Sequence, residues 1–154
     1  MSQTVDNATN SPTRPGARLT DEIRAFLDDT RFASIATIDP DGTPRPAVIW
    51  YTVDGDDIVI NSKVGRRWPS NLVRDPRIAF SVVDSADGYR WVGLTGVVTV
   101  VEDQATAQAD IAGMARRYHA DDPVEAERLV HERFEREARI SFRIHPIALT
   151  DHRG

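Results

Sequence analysis

The feature that most limits how this chain can fold is a four-residue turn, Asp39-Pro40-Asp41-Gly42, set between two β-prone runs. Proline presets φ for a turn, and glycine accepts the left-handed conformation that a side chain resists. The run before the turn, residues 32–38, reads Phe-Ala-Ser-Ile-Ala-Thr-Ile. The run after it, residues 44–53, carries its prolines, Pro44 and Pro46, near its start, where a strand can spare backbone donors. A second turn, Asp54-Gly55-Asp56-Asp57, leads into Ile58-Val59-Ile60, a short buried strand. Three antiparallel strands in succession make a meander.

Around this hairpin the periodicity alternates between helix and strand. Residues 1–17 are rich in Ser, Thr, Asn, Pro and Gly and nearly lack large apolar side chains, so they read as a mobile tail ahead of a single domain, 18–154. Thr20 followed by Asp21 and Glu22, with Ile23, Phe26 and Leu27 at helical spacing, predicts a short capped helix to about residue 29 that plugs one end of a barrel. Residues 61–65 read as a loop and 66–74 as about two helical turns, with Pro69 in the first turn. Residues 78–83 and 89–101 are further strands, the second with bends or bulges at Gly93 and Gly96. Ile111, Met114, Ala115 and Tyr118 share a helical face. Asp122-Pro123-x-Glu125 is a helix start with a capping box, ahead of Ala126, Leu129, Val130 and Phe134. Residues 139–145 alternate strictly, Ile140, Phe142 and Ile144 against Arg139, Ser141, Arg143 and His145, which predicts a strand with one buried and one wet face. Helix, five strands, two helices and a strand describe an α+β domain, mainly antiparallel, around a closed or nearly closed sheet.

Composition removes several functions. With no cysteine, disulfides, thiolate metal sites and cysteine nucleophiles are excluded. The start of the chain holds no apolar run behind a basic one, so a soluble, cytoplasmic protein without a membrane anchor is expected. A net charge of −5 argues against nucleic acid as partner, so any anion site must be local. His119, His131, His145 and His152 lack helical metal-site spacing, and no H-E-x-x-H, G-x-S-x-G, Walker loop or G-x-G-x-x-G occurs. The acids belong to turns and helix surfaces, and no catalytic pair stands out among them.

What remains is the stretch Asn61-Ser62-Lys63-Val64-Gly65-Arg66-Arg67-Trp68-Pro69-Ser70-Asn71. It sets the chain's only lysine and two arginines beside a glycine and a helix start, directly after a buried strand. Arginine grips phosphate with two N–H groups, and the N–H groups of a helix start point at the same oxygens. A basic loop is more often merely solvated, so the grouping alone does not define a site. Tyr89-Arg90-Trp91 at the head of the long strand is either aromatic core or a ring-stacking wall.

The succession from Phe32 through Asp39-Pro40-Asp41-Gly42-Thr43-Pro44, then Arg66-Arg67-Trp68-Pro69-Ser70-Asn71-Leu72, then Arg74-Asp75-Pro76-Arg77-Ile78, resembles the pyridoxamine 5′-phosphate oxidase-like superfamily over residues 19–149. Within it the chain is most similar to the actinobacterial flavin/deazaflavin oxidoreductases that use coenzyme F-420. The resemblance implies an FMN-binding-like split β-barrel with peripheral helices. It further implies a homodimer holding its cofactor at the subunit interface, with hydride transfer from reduced coenzyme F-420 to a small organic acceptor. FMN is the alternative cofactor, in a reductase related to the oxidase, and a non-catalytic flavin- or haem-binding barrel is the alternative function. Residues carried over as cofactor contacts are Val48 and Trp50 on the second strand, Asn61 and Ser62 ending the third, and Lys63, Arg66, Arg67, Trp68 and Asn71 of the loop. Tyr89, Arg90 and Trp91 would come from the partner subunit. Trp68 stands where several relatives carry a lysine. The longer C-terminal segment of the oxidase itself has no counterpart before Gly154, so pyridoxamine phosphate oxidation is not expected.

Overall fold

The computed structural model describes residues 16–154. Most of the expected tail therefore lies outside the described residues; at its end the Ala17 N–H donates to the Pro146 carbonyl at 3.0 Å and Leu19 is buried.

Seven antiparallel strands form one sheet: β1 (Ala33–Ile38), β2 (Pro44–Ile49), β3 (Thr52–Asp54), β4 (Asp57–Lys63), β5 (Arg77–Val83), β6 (Trp91–Val101) and β7 (Arg139–His152). Their order across the sheet is β2-β1-β5-β6-β7-β4-β3. The two edge strands are consecutive in the chain, so Trp50 and Tyr51 carry the backbone from one edge to the other and the sheet curls into a barrel. The expected meander is thereby corrected. The single run 44–53 breaks at Trp50, and its two parts pair with different strands, β2 with β1 and β3 with β4. Buried Tyr51, whose hydroxyl donates to the Leu27 carbonyl at 2.7 Å, is the pivot.

Alternate side chains of the strands fill the barrel: Ile35, Ile58, Ile60, Phe80, Val82, Leu94, Phe142 and Ile144 are all buried in one cluster. A helix closes each end. Thr20 caps α1 (Asp21–Asp28) by accepting from the Ile23 N–H at 3.1 Å, and Ile23, Phe26 and Leu27 face inward as their spacing predicts. At the other end α2 (Arg67–Arg74) buries Trp68 and Leu72.

The remaining helices, α3 (Gln104–Tyr118) and α4 (Pro123–Glu132), pack outside the barrel, joined to β7 by a single 3-10 turn, Phe134–Arg136. Asp122 caps α4, accepting from the Glu125 N–H at 3.1 Å. Ile111, Met114, Ala115, Val130 and Phe134 make a second cluster against Val59, on the outer side of β4. Phe134 contributes from the 3-10 turn, not from α4.

This helical layer also changes two expectations. The outward side of β7 is not wet at its start: Arg139 and Ser141 are buried, because α3 lies over them. Asn61, Ser62 and Lys63 are not loop but the end of β4, paired with Ser141, Ile140 and Arg139. Their polarity suggests a loop, but the ladder to β7 makes them strand, with Asn61 covered by α3 and Lys63 exposed at the end.

The glycines of β6 divide. Gly96 marks a bulge, where the register jumps from Thr95↔Ala148 to Gly96↔Pro146 and leaves Ile147 over. A Cβ at position 96 would lie 2.5 Å from the His145 carbonyl oxygen. Gly93 stays in register with Ser81 and Thr150, and its bareness instead makes room for the Trp91 ring, which a Cβ would meet at 2.8 Å.

Candidate functional site

At the α2 end of the barrel the chain leaves β4 at Lys63, turns through Gly65 with φ +97°, and starts α2 from Arg66, whose extended backbone forms the cap without a side-chain hydrogen bond. Pro69 sits in the first turn of α2, where its missing N–H breaks no bond. Lys63, Arg66 and Arg67 are all exposed here, around the glycine. Three cations therefore surround an uncapped helix start, an arrangement suited to phosphate oxygens.

The same turn forms one wall of an open cleft of about 630 Å³. The opposite wall is the β1–β2 hairpin, with Asp39, Asp41 and Arg45, and the floor holds Ser70, Asn71 and Arg74 of α2. Asp39 is the hub. Its Oδ2 accepts from Arg45 Nε at 3.0 Å and Nη2 at 2.7 Å, and lies 3.7 Å from Arg67 Nη1. Its Oδ1 accepts from Asn71 Nδ2 at 2.9 Å. The bonds from Arg45, then from Asn71, hold the Asp39 carboxyl below the usual carboxylate range despite its desolvation, and Asp39 in turn raises the Arg45 guanidinium. Asn71 also donates to Thr37 Oγ1 at 3.1 Å and accepts from Arg74 Nη1 at 3.2 Å, and Arg74 reaches on to the Ile38 carbonyl.

The residues read from the sequence divide into those at this turn and those elsewhere. Lys63, Arg66, Arg67 and Asn71 come together. Trp68 turns inward, 8% exposed, with its ring 5.9 Å from that of Phe142. Ser62 is buried at the end of β4. The Asn61 amide is committed internally, donating to the Ala107 carbonyl at 2.9 Å and Ser141 Oγ at 2.8 Å and accepting from Arg139 Nε at 3.0 Å. Trp50 stacks on Tyr118 at 5.0 Å, with the Phe134 ring 6.4 Å away, as part of the contact between barrel and helices. Val48 is 70% exposed on edge strand β2.

Tyr89, Arg90 and Trp91 lie at the opposite end of the barrel, roughly 20 Å away along the length of a seven-residue strand. Tyr89 is exposed, Trp91 stacks on His152 at 4.7 Å, and Arg90 pairs with Asp84 at 2.6 Å while its guanidinium covers the Phe26 ring at 4.8 Å. No single chain brings this aromatic group to the cationic turn.

Sequence reading missed Asp39, Arg45 and Arg74 as parts of the cleft. Asp39 and Arg45 read as turn and strand residues, and only the docking of α2 against the hairpin joins them to Arg67. Nothing local in the sequence signals that contact. Of the histidines, His145 has both ring nitrogens engaged, Nδ1 with Asp57 at 2.9 Å and Nε2 with Thr99 at 2.7 Å. Among the described residues no group of His, Asp and Glu is arranged to hold a metal ion, and no helix is long and apolar enough to cross a membrane.

A curled antiparallel sheet with a helix across each end and a cationic turn opening the second helix defines the split β-barrel class. The chain belongs to the pyridoxamine 5′-phosphate oxidase family, whose model matches residues 19–149. It is 27% identical over 107 residues to a Mycobacterium tuberculosis biliverdin reductase dependent on reduced coenzyme F-420, covering 69% of this chain and 77% of that one. Among solved structures, a conserved hypothetical protein of the same organism superposes with a TM-score of 0.71 at 28% identity, over 92% of this chain and 91% of the other. An F-420 reductase gives 0.66 at 24%, over 82% and 94%. HutZ, the haem storage protein of Vibrio cholerae, gives 0.64 at 20%, over 88% and 95%. The last two establish likeness of fold alone.

Proposed function

We propose that this chain is a reductase that binds a phosphate-bearing flavin, coenzyme F-420 in the first place and FMN as the alternative, and delivers hydride to a small organic acceptor. The observation that carries the reading is the exposed trio Lys63, Arg66 and Arg67 around the uncapped start of α2, in a chain related to a reductase dependent on reduced coenzyme F-420. The donor set fits the group: guanidinium and ammonium donors with helix N–H groups suit a phosphate. The bound cofactor would supply the hydride. The protein's part would be to neutralise the phosphate with Arg66, Arg67 and Lys63 and so to anchor the cofactor. Val48 and the segment from Tyr89 to Trp91 would exclude water from its faces. Such a transfer demands no acid–base pair of the protein.

The separation of the cationic turn from Tyr89 and Trp91 supports a homodimer in which one subunit supplies the phosphate site and its partner the ring wall. The outward face of β1, β5, β6 and β7 supports it too. There Ser34, Ala36, Ala79, Ser81 and Thr95 form a shallow depression rimmed by Trp91, flat enough for a second copy. The engaged nitrogens of His145 weigh against its use as a haem ligand.

Equilibrium titration of the purified chain with coenzyme F-420, FMN and haem tests the reading, with sedimentation analysis for the dimer. Binding of coenzyme F-420 more tightly than FMN is expected. Failure of both flavins to bind would refute the enzyme assignment, and haem bound in their place would favour the carrier.

A further inference from the structure

Arg45 and Asp39 stand outside the cationic turn, yet they shape the cleft that it lines. The Asp39 side chain is 9% exposed, whereas those of Arg45 and Arg67 are 42% and 62% exposed. A sunken carboxylate thus holds the Arg45 guanidinium from beneath by two hydrogen bonds, with the Arg67 guanidinium as a looser ion pair 3.7 Å away. Of the five N–H groups on Arg45, the carboxylate takes those of Nε and one on Nη2, which leaves the outer edge of the fork to face the cleft. Asn71, bonded to Asp39, Thr37 and Arg74 together, fixes the depth at which the carboxylate sits.

An acid in the wall of an anion site needs a reason, because by Coulomb's law alone it repels the ligand. Its local bonds to the hairpin do not supply one, since the turn already closes through the Asp39 N–H to Thr43 and the Gly42 N–H to Asp39, both by backbone at 2.9 Å. What the carboxylate adds is orientation. A long side chain that would otherwise be ordered only on binding, Arg45, is ordered beforehand, so the ligand meets it without that entropy loss.

We infer that Arg45 of β2 is a further binding residue for a phosphate or pyrophosphate group beside Arg67, and that Asp39 is the positioning residue that aims Arg45 at its oxygens. The inference rests on the preceding reading only for the identity of the molecule that carries the phosphate.

The two effects of Asp39 have opposite signs, which makes the test decisive. Inorganic pyrophosphate is titrated into the full chain while the Nε–H signals of its arginines are followed by NMR, and folding is monitored by melting. In the native protein the Arg45 and Arg67 signals should move together and saturate. Arg45→Gln should weaken pyrophosphate about tenfold, and Asp39→Asn should weaken it by a similar factor although it removes a negative charge. The double variant should bind no more weakly than Arg45→Gln alone, because Asp39 acts through Arg45. Tighter or unchanged binding by Asp39→Asn, additive losses, or an unmoved Arg45 signal would overturn the inference. Should Asp39→Asn not fold, Arg45→Lys serves in its place. It keeps the charge but lacks the planar fork that bonds Asp39 along one edge and offers the other to a ligand, so it should still lose several-fold; native affinity in that variant would overturn the inference. Pyrophosphate binding through Arg45 in a protein that takes neither flavin would defeat the proposed function and leave this site standing.

Discussion

Replacing Asn61 by alanine separates a role in the fold from a role at the ligand. The side chain, 8% exposed beneath α3, makes three hydrogen bonds, two donated to neutral oxygens of Ala107 and Ser141 and one accepted from the Arg139 guanidinium. Neutral bonds are worth about 0.5–1.5 kcal/mol net and a bond to a charged group about 1.5–3. The oxygens are not left bare, since the Ser141 hydroxyl still donates to Asp110 at 2.7 Å and Ala107 lies within a helix. Arg139 Nε is orphaned, though the guanidinium keeps Glu137 at 2.7 Å. Taking the charged bond at about 2 kcal/mol and each neutral bond at about 0.5 gives a loss of about 3 kcal/mol. With a urea slope of about 2 kcal/mol per molar, the midpoint should fall by about 1.5 M. Urea unfolding followed by tryptophan fluorescence measures it, and flavin affinity measured well below the transition should remain within about twofold, a free-energy change of under half a kcal/mol. A midpoint shift under about 0.5 M, or intact stability with lost flavin binding, would show that the amide serves the ligand and that its internal bonds count for little.

Other perturbations address the site, the sheet and the helical layer. Arg66→Ala combined with Arg67→Ala should weaken flavin binding at least about 100-fold, each charged contact being worth about 1.5–3 kcal/mol, and fluorescence titration showing unchanged affinity would remove the turn from the site. Gly96→Ala forces a methyl to within 2.5 Å of the His145 carbonyl oxygen and should cost about 1–3 kcal/mol by chemical denaturation; an unchanged midpoint would mean that the bulge absorbs it. The Glu135 carboxylate 3.1 Å from His131 Nδ1, helped by Glu127, raises the pKa of that imidazole. Its contribution is complete below the ordinary value of about 6.5 and is lost as pH rises through the raised one, so the melting temperature should decline slightly across that window and His131→Gln should flatten the decline. A decline of equal size in the variant would assign it to other groups.

The parts of the fold legible in the sequence are those whose cause is local. The Asp39–Gly42 turn, the Thr20 and Asp122 caps and the Gly96 bulge each follow from a residue's own backbone preferences or from partners a few positions away. What the sequence hides is pairing over distance. Residues 44–53 form one unbroken β-prone run, and nothing in them reveals that one strand ends at Ile49 and that Trp50 and Tyr51 pass to the far edge of the sheet. Arg139 and Ser141 look wet because the α3 helix that covers them lies some thirty residues earlier in the chain. The site follows the same division. The cationic turn is visible as a local cluster, but Asp39 and Arg45 join it only through the packing of α2, and Trp68 reads as part of the turn although its ring belongs to the barrel.

The edges of the sheet bear on how this protein can meet another. A strand with free donors and acceptors on one side is a template onto which a second chain can add. Here β2 is one such edge, and Pro44 and Pro46 have no N–H to offer either to β1 or to an incoming strand. The other edge, β3, is three residues long, too short to hold a foreign strand in register. Both ends of the sheet are therefore poor templates. Strand addition and runaway polymerisation through the edges of the sheet are disfavoured.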